Sequence, residues 1–213
     1  MEPVFVDDAL LVLDKPSGLL AVPGRGADKQ DALSTQVQRL YSDALIVHRL
    51  DMATSGLMLM ARGPRVQRSL SRAFADREIH KRYIAVADGC LQAPADAPDG
   101  WGVIDLPIAL DWPRRPLRVI DAKRGKPSVT HWRVLGWERG NDTTRVMLKP
   151  VTGRSHQLRV HLQALGHAIV GDALYASAPV QAKSSRLLLH ACALTLTHPV
   201  TGKTMAFASP APF

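Results

Sequence analysis

Asp51 sits in a polar run, His48-Arg49-Leu50-Asp51-Met52-Ala53-Thr54-Ser55-Gly56, that ends where a wholly apolar run over 57–61 begins. The apolar run reads as a buried strand and the polar run as the loop that strand anchors. A carboxylate held on an anchored loop suits attack on an electron-poor carbon or proton transfer. Taken by itself, such a residue is more often structural, capping a turn or pairing with Arg49. A second run, Thr152-Gly153-Arg154-Ser155-His156-Gln157, sets an arginine just ahead of a helix. The first turn of a helix has free N–H groups and suits an anion. Read as a buried residue, Arg154 requires a carboxylate, and Asp51 is the candidate. Tyr83 is one of three tyrosines. On a strand it points to the face opposite Arg82, and its plainest reading is a core aromatic with a satisfied hydroxyl.

A fourth segment, residues 111–127, has six Arg or Lys among its seventeen residues, with Trp112 and three prolines between them. A packed segment does not concentrate charge this way. It reads as an extended basic loop whose Arg114, Arg115 and Arg118 track a phosphate backbone while Trp112 packs on a base or sugar. The whole chain leans the same way: 27 Lys and Arg against 19 acids give +8, and the sequence pI is about 9.9. Nucleic acid is the partner that such a balance favours.

Other classes are disfavoured. His156 and His161 are five apart, not the four that align two ligands on a helix, so they read as packing or RNA-contacting residues. Cys90 and Cys192 are isolated, which argues against a disulfide framework and a zinc site. No metal or other cofactor is expected. There is no run of eighteen apolar residues and no secretory leader pattern, and the expected compartment is the cytoplasm.

The elements that must position these residues follow from periodicity. Two apolar runs between 4 and 22, broken at Asp7-Asp8 and Lys15-Pro16-Ser17-Gly18, predict strands and turns. Helices are predicted over 32–40, 65–74 and 157–165, the last ended by Gly166, and strands over 57–61, 82–87, 103–110, 130–137, 144–149, 187–196 and 204–208. The stretch 92–100, rich in Pro and Asp, reads as a surface loop or lobe boundary. Many strands with three or four helices and no βαβ rhythm make an α+β fold with a mixed, mostly antiparallel sheet.

Four runs, HRLDMATSG, KRYIAVADG, TGRSHQLRVH and RLLLHACALTLTHPVTG, occur here in the order and spacing of the RluA family of pseudouridine synthases. The resemblance covers about 4–210, and KPSGLLAVPGR and DWPRRP resemble a narrower branch of it. It implies an enzyme that isomerises uridine in RNA without a cofactor, with its active site in a central cleft. In that family Asp51 matches the catalytic aspartate, Arg154 its arginine partner, and Tyr83 the ring that stacks on the pyrimidine. Arg49 matches an arginine that enters the RNA beside the flipped nucleotide. Leu187, Leu188 and Leu189 match an apolar wall of the base pocket. The narrower match implies uridines in a 23S rRNA hairpin and in the tRNA anticodon stem-loop. Residues 1–213 are then expected to be one catalytic domain without a preceding RNA-binding module, working as a monomer. A non-catalytic RNA binder and a metal-dependent hydrolase built on the histidines and aspartates are the rival readings.

Overall fold

The computed structural model describes residues 2–94, 97 and 99–213, so positions 95, 96 and 98 of the predicted 92–100 loop lie outside the described residues. The chain divides into two compact units, one from residues 1–81 with 190–212 and the other from 82–189 with Phe213.

In the first unit, strands β1 (Phe5–Val6) and β2 (Leu10–Lys15) pair antiparallel around the Asp7-Asp8 turn. Asp7 makes that turn by accepting the N–H groups of Ala9 and Leu10 at 2.8 and 2.7 Å. Helix α1 (Leu33–Gln38) is shorter than predicted, and Leu40 beyond it is exposed. Strand β3 (Ala44–Ile46) leads into the 47–54 segment and strand β4 (Ser55–Arg62). Seven of the eight β4 residues are buried, as a strand flanked on both edges must be. β2 runs antiparallel along one edge. The other edge is shared by β3 and, in parallel, by the start of strand β11 (Leu189–Thr197). Strand β12 (Thr204–Ala208) closes the unit against β11.

Helix α2 (Pro64–Ala75) begins with proline at its first turn, where the missing N–H is no loss. It buries Leu70 and half-buries Val66 and Phe74 against Leu10, Val12, Leu57, Leu59, Leu194 and Leu196. Arg65, Arg68 and Arg72 face solvent, as the periodicity predicts.

The second unit is built on antiparallel strands in the order β5 (His80–Asp88), β10 (Thr143–Pro150), β9 (Val129–Glu138) and β6 (Gly102–Asp105). The strand predicted over 103–110 is two elements. Chain direction changes at Leu106-Pro107, and Ile108–Leu110 (β7) leaves the sheet to form a hairpin with Arg118–Ile120 (β8). Pro107 has no N–H to continue a ladder, which accounts for the break. The basic segment is therefore a hairpin rather than a featureless loop. Helix α3 (Gln157–Ala164) ends at Gly166, whose φ is 84°. Helix α4 (Ala178–Ala182) is a short turn the periodicity did not signal.

Gly56 is fixed by geometry. Its φ is 110°, and a Cβ there would lie 2.4 Å from the carbonyl oxygen of Ala191. Gly56→Ala is expected to lose at least about 2 kcal/mol of stability in urea titrations, from left-handed backbone strain plus the main-chain clash. A loss near zero would show that β11 moves away freely.

Candidate active site

Asp51 opens a turn that its neighbours over-determine. Thr54 N–H closes the turn onto Asp51 O at 3.1 Å, and Gly18 N–H donates to Met52 O at 2.9 Å. Ser17 Oγ donates to Ala53 O at 2.7 Å. The most telling contact comes from Lys15, which is wholly buried. Its Nζ donates to the carbonyls of Pro16, Leu19 and Met52 at 2.9, 2.8 and 3.0 Å. Burying an ammonium is costly unless carbonyl dipoles replace water, and here the carbonyls come from both turns. Along the turn Arg49 is exposed, Leu50 buried and Asp51 half-buried.

The residue ahead of Arg49 fixes the approach. His48 Nε2 accepts the Leu59 N–H at 2.9 Å, so its proton sits on Nδ1. Its ring lies on Phe74 with centroids 4.5 Å apart. The crowding around it, and next the charge of Lys81, push its pKa down to about 3. Lys81 Nζ itself lies 5.6 Å from the Phe74 ring centre, and burial lowers its pKa too.

Also in this unit, Ser55, His190, Ser209 and Asp14 form a chain that outwardly suits nucleophilic catalysis. Ser55 Oγ is 2.9 Å from His190 Nδ1. His190 Nε2 lies 3.2 Å from the Ser209 carbonyl and 3.1 Å from its hydroxyl, and Ser209 Oγ donates to Asp14. Nε2 therefore carries the proton and Nδ1 accepts from Ser55. Ser55 and His190 are 3% and 2% exposed, so no substrate reaches the hydroxyl, and the carboxylate meets a serine rather than the imidazole. The chain is a structural strap, and the hydrolase alternative loses its best-placed residues. Among the described residues no group of three His, Cys, Asp or Glu has metal-binding geometry.

In the second unit the loop carrying Arg154 is built around Gln157, which is buried. Its Oε1 accepts from Thr152 Oγ at 2.7 Å and from Arg154 N–H at 3.0 Å. Its Nε2 donates to Val129 O and Thr130 Oγ, both at 3.0 Å. Thr130 in turn donates to His161 Nδ1 at 2.9 Å, while His161 Nε2 donates to Leu106 O at 3.0 Å. Burial lowers the pKa of His161 despite that last bond, so it packs as a neutral ring. The expectation of a buried Arg154 is corrected: it is exposed, and its Nε donates to Pro127 O at 3.3 Å. The buried polar places are taken by Gln157 and by Arg159, which makes a bidentate pair with Asp172 at 2.7 and 2.6 Å.

His156 adopts a left-handed conformation at φ 58° to start α3. Its Nδ1 is 2.6 Å from Tyr175 Oη, and that oxygen accepts the Arg118 N–H at 2.9 Å. The hairpin is thus tied to the helix start. On it Trp112 is 64% exposed, with the Arg115 guanidinium 4.6 Å from its ring centre. Arg114 is also exposed, and pairs with Asp111 at 2.6 Å. Arg118 is half-buried, its Nε enclosed without a hydrogen-bond partner among the described residues. Tyr83 is buried on β5, on the face opposite exposed Arg82. Leu187 and Leu189 are buried, and Leu188 keeps some exposure while its backbone bonds Val86 and Val170.

Each predicted residue is thus placed within its own unit, Arg49 and Asp51 in the first and the rest in the second. Sequence reading passed over Lys15, His48, Gln157, Tyr175 and the Arg159–Asp172 pair. Only Lys15 carried a local signal, as a charge closing an apolar run before Pro16-Ser17-Gly18.

Residues 9–164 match the family model described as RNA pseudouridylate synthase. The Escherichia coli K12 protein "Dual-specificity RNA pseudouridine synthase RluA" is 48% identical over 210 residues, which is 99% of this chain and 93% of that one. The protein of the same name from Haemophilus ducreyi is 45% identical over 207 residues, covering 97% and 91%. Among solved structures, human RNA Pseudouridylate Synthase Domain Containing 1 is similar with TM-score 0.79 and 30% identity, over 99% of this chain and 83% of that one.

The buried, neutral His48 makes acid destabilising in a defined window. Its folded pKa of about 3 lies below the ordinary value near 6.5. Its contribution is complete above pH 6.5 and is lost as pH falls toward 3, because the unfolded chain binds the proton first. Between pH 7 and 5 the protein should lose about 2 kcal/mol more than a His48→Gln variant does. Parallel urea stability profiles for the two would refute this.

Proposed function

This chain belongs to the RNA pseudouridylate synthase family, and we propose that Asp51 is the carboxylate with which it isomerises uridine in RNA. The observation that carries the reading is the frame around Asp51, a turn clamped by a buried ammonium and three further hydrogen bonds. In a family that makes and breaks bonds to a sugar carbon, the reacting carboxylate must not drift. A displacement of one ångström costs about a hundredfold in rate.

The reaction breaks the bond from ribose C1′ to uracil N1, turns the base, and joins C1′ to C5. The C5 proton leaves and N1 gains one, so atoms and electrons balance without a cofactor. The uridine first leaves its stack, at a cost of a few kcal/mol that is lowest in loops. Exposed Arg49 enters the gap beside it. Asp51 engages the sugar or the base, with Arg154 as its charge partner. Tyr83 supplies one face of the base pocket and the leucines at 187–189 the other. Stacking on such a face is worth roughly 1–3 kcal/mol per base, enough to retain the free uracil while flat contacts let it turn. Tyr83 or a water takes the C5 proton. The hairpin arginines hold the phosphates around the target. The substrates are a hairpin of 23S rRNA and the tRNA anticodon stem-loop, read by the protein as a cytoplasmic monomer.

Release of tritium from C5-labelled uridine in RNA tests the role of Asp51. Asp51→Asn should fold, bind RNA with affinity close to the parent, and release no tritium. Turnover near the parent rate would remove Asp51 from the chemistry. The hairpin is tested separately by replacing Arg114, Arg115 and Arg118 with alanine. Binding should weaken, and each lost phosphate contact should lower the log–log salt slope by about 0.7 on single strands. An unchanged slope would exclude phosphate contact by these arginines.

A further inference from the structure

Met52 follows Asp51 directly and is 52% exposed. Single exposed hydrophobes are ordinary, because there is too little polar surface to cover a protein. Val4, Leu40, Val103 and Val200 are exposed in this chain as well. Met52 differs in its frame. Its carbonyl is drawn inward by Lys15 Nζ at 3.0 Å and by Gly18 N–H at 2.9 Å. The next carbonyl, of Ala53, takes the Ser17 hydroxyl at 2.7 Å, and the turn closes between Thr54 N–H and Asp51 O at 3.1 Å. Leu50, two residues earlier, is buried. With the backbone fixed on both sides, the thioether cannot fold back into the core without breaking contacts to a buried ammonium. The structure holds an apolar side chain out in water, on a rigid turn, between exposed Arg49 and half-buried Asp51.

We infer that Met52 is a nucleotide-contacting residue: its side chain packs against the base that flanks the target uridine, filling the space that opens in the stack when the uridine leaves. The inference rests on the reading of Asp51 as the reacting carboxylate. Apolar side chains, methionine among them, serve as wedges between bases in other nucleic-acid complexes. An unbranched, polarisable thioether suits an aromatic face and adjusts to more than one base. The neighbouring positive charge of Arg49 can hold the backbone, but it does not replace the apolar surface lost on unstacking. The division of labour is then charge from Arg49, bulk from Met52 and chemistry from Asp51, on successive exposed positions of one turn.

The test uses a short stem-loop RNA with 2-aminopurine beside the target uridine, whose fluorescence reports unstacking. Met52→Ala and Met52→Gln should keep the parent's melting curve, since the side chain is exposed. Both should lower kcat/KM by roughly three- to tenfold, the range that loss of a thioether–aromatic contact converts to. Both should also change the 2-aminopurine signal on binding, measured in the Asp51→Asn background so that no turnover intervenes. Met52→Leu, which restores apolar bulk, should recover most of both losses. Parent-like kcat/KM in Met52→Gln overturns the inference. So does a lowered kcat/KM with an unchanged 2-aminopurine signal, which would place Met52 in the turn's frame only. Failure of the Asp51 reading appears elsewhere, as tritium release by Asp51→Asn, and leaves the fluorescence comparison intact.

Discussion

The ammonium of Lys15 is the contact on which the first unit's functional edge depends. A buried positive charge is tolerable only where dipoles replace its hydration shell. Three carbonyls do so here, two from its own turn and one from the turn of Asp51. Remove the ammonium and those carbonyls face an enclosed space without a donor, a penalty of about 1–3 kcal/mol for each. The result is two loops, far apart in sequence, that hold their shape only together. Gly18 and Ser17 add to the same seam, and the neutral ring of His48 secures the chain just upstream on a backbone N–H of β4. The precision asked of a reacting carboxylate is thus supplied by groups that never meet substrate.

The second unit reaches the same end by other means. Its loop before α3 is organised by an uncharged amide, Gln157, whose oxygen and nitrogen both find partners. Such a fully satisfied network rigidifies without the desolvation cost of a charge. The buried charge in this unit is the Arg159–Asp172 pair. Asp172 also accepts the N–H groups of Leu174 and Tyr175, so it fixes the tyrosine whose hydroxyl receives the hairpin's Arg118 N–H. Phosphate-seeking arginines thereby stand on a short element whose root is held by a dry ion pair.

Much of the fold was legible in sequence, because it is written in local periodicity. The apolar run at 57–61 is the core of β4, the spacing of Val66, Leu70 and Phe74 is the buried face of α2, and the absence of βαβ rhythm matches the antiparallel sheet of the second unit. Where local pattern and chain geometry compete, reading failed. Ile104 and Ile108 look like one strand, and Pro107 between them sends their strands to different partners. The identity of Asp51 as a candidate was legible through its motif, but its supports were not. Lysine is normally a surface residue, and nothing near Lys15 in sequence shows that a carbonyl 37 residues away will accept from it. Arg154 failed in the opposite sense: it was read as buried because an arginine beside a helix start was assumed to need an internal partner. The internal place had gone to Gln157.

The make-up of the first unit, residues 1–81 with 190–212, has a consequence for biosynthesis. A chain leaves the ribosome from its N-terminus, and compact units fold as they emerge. One edge of β4 receives β11 only after all of 82–189 has been made. The strap from Asp14 to Ser209 and His190 spans 195 residues. The second unit can close on itself while the Asp51 turn still waits for the strands that complete its sheet. An RNA-modifying carboxylate assembled this way is withheld from the nascent chain until translation is nearly complete, and a prematurely terminated product lacks the strands that finish its support.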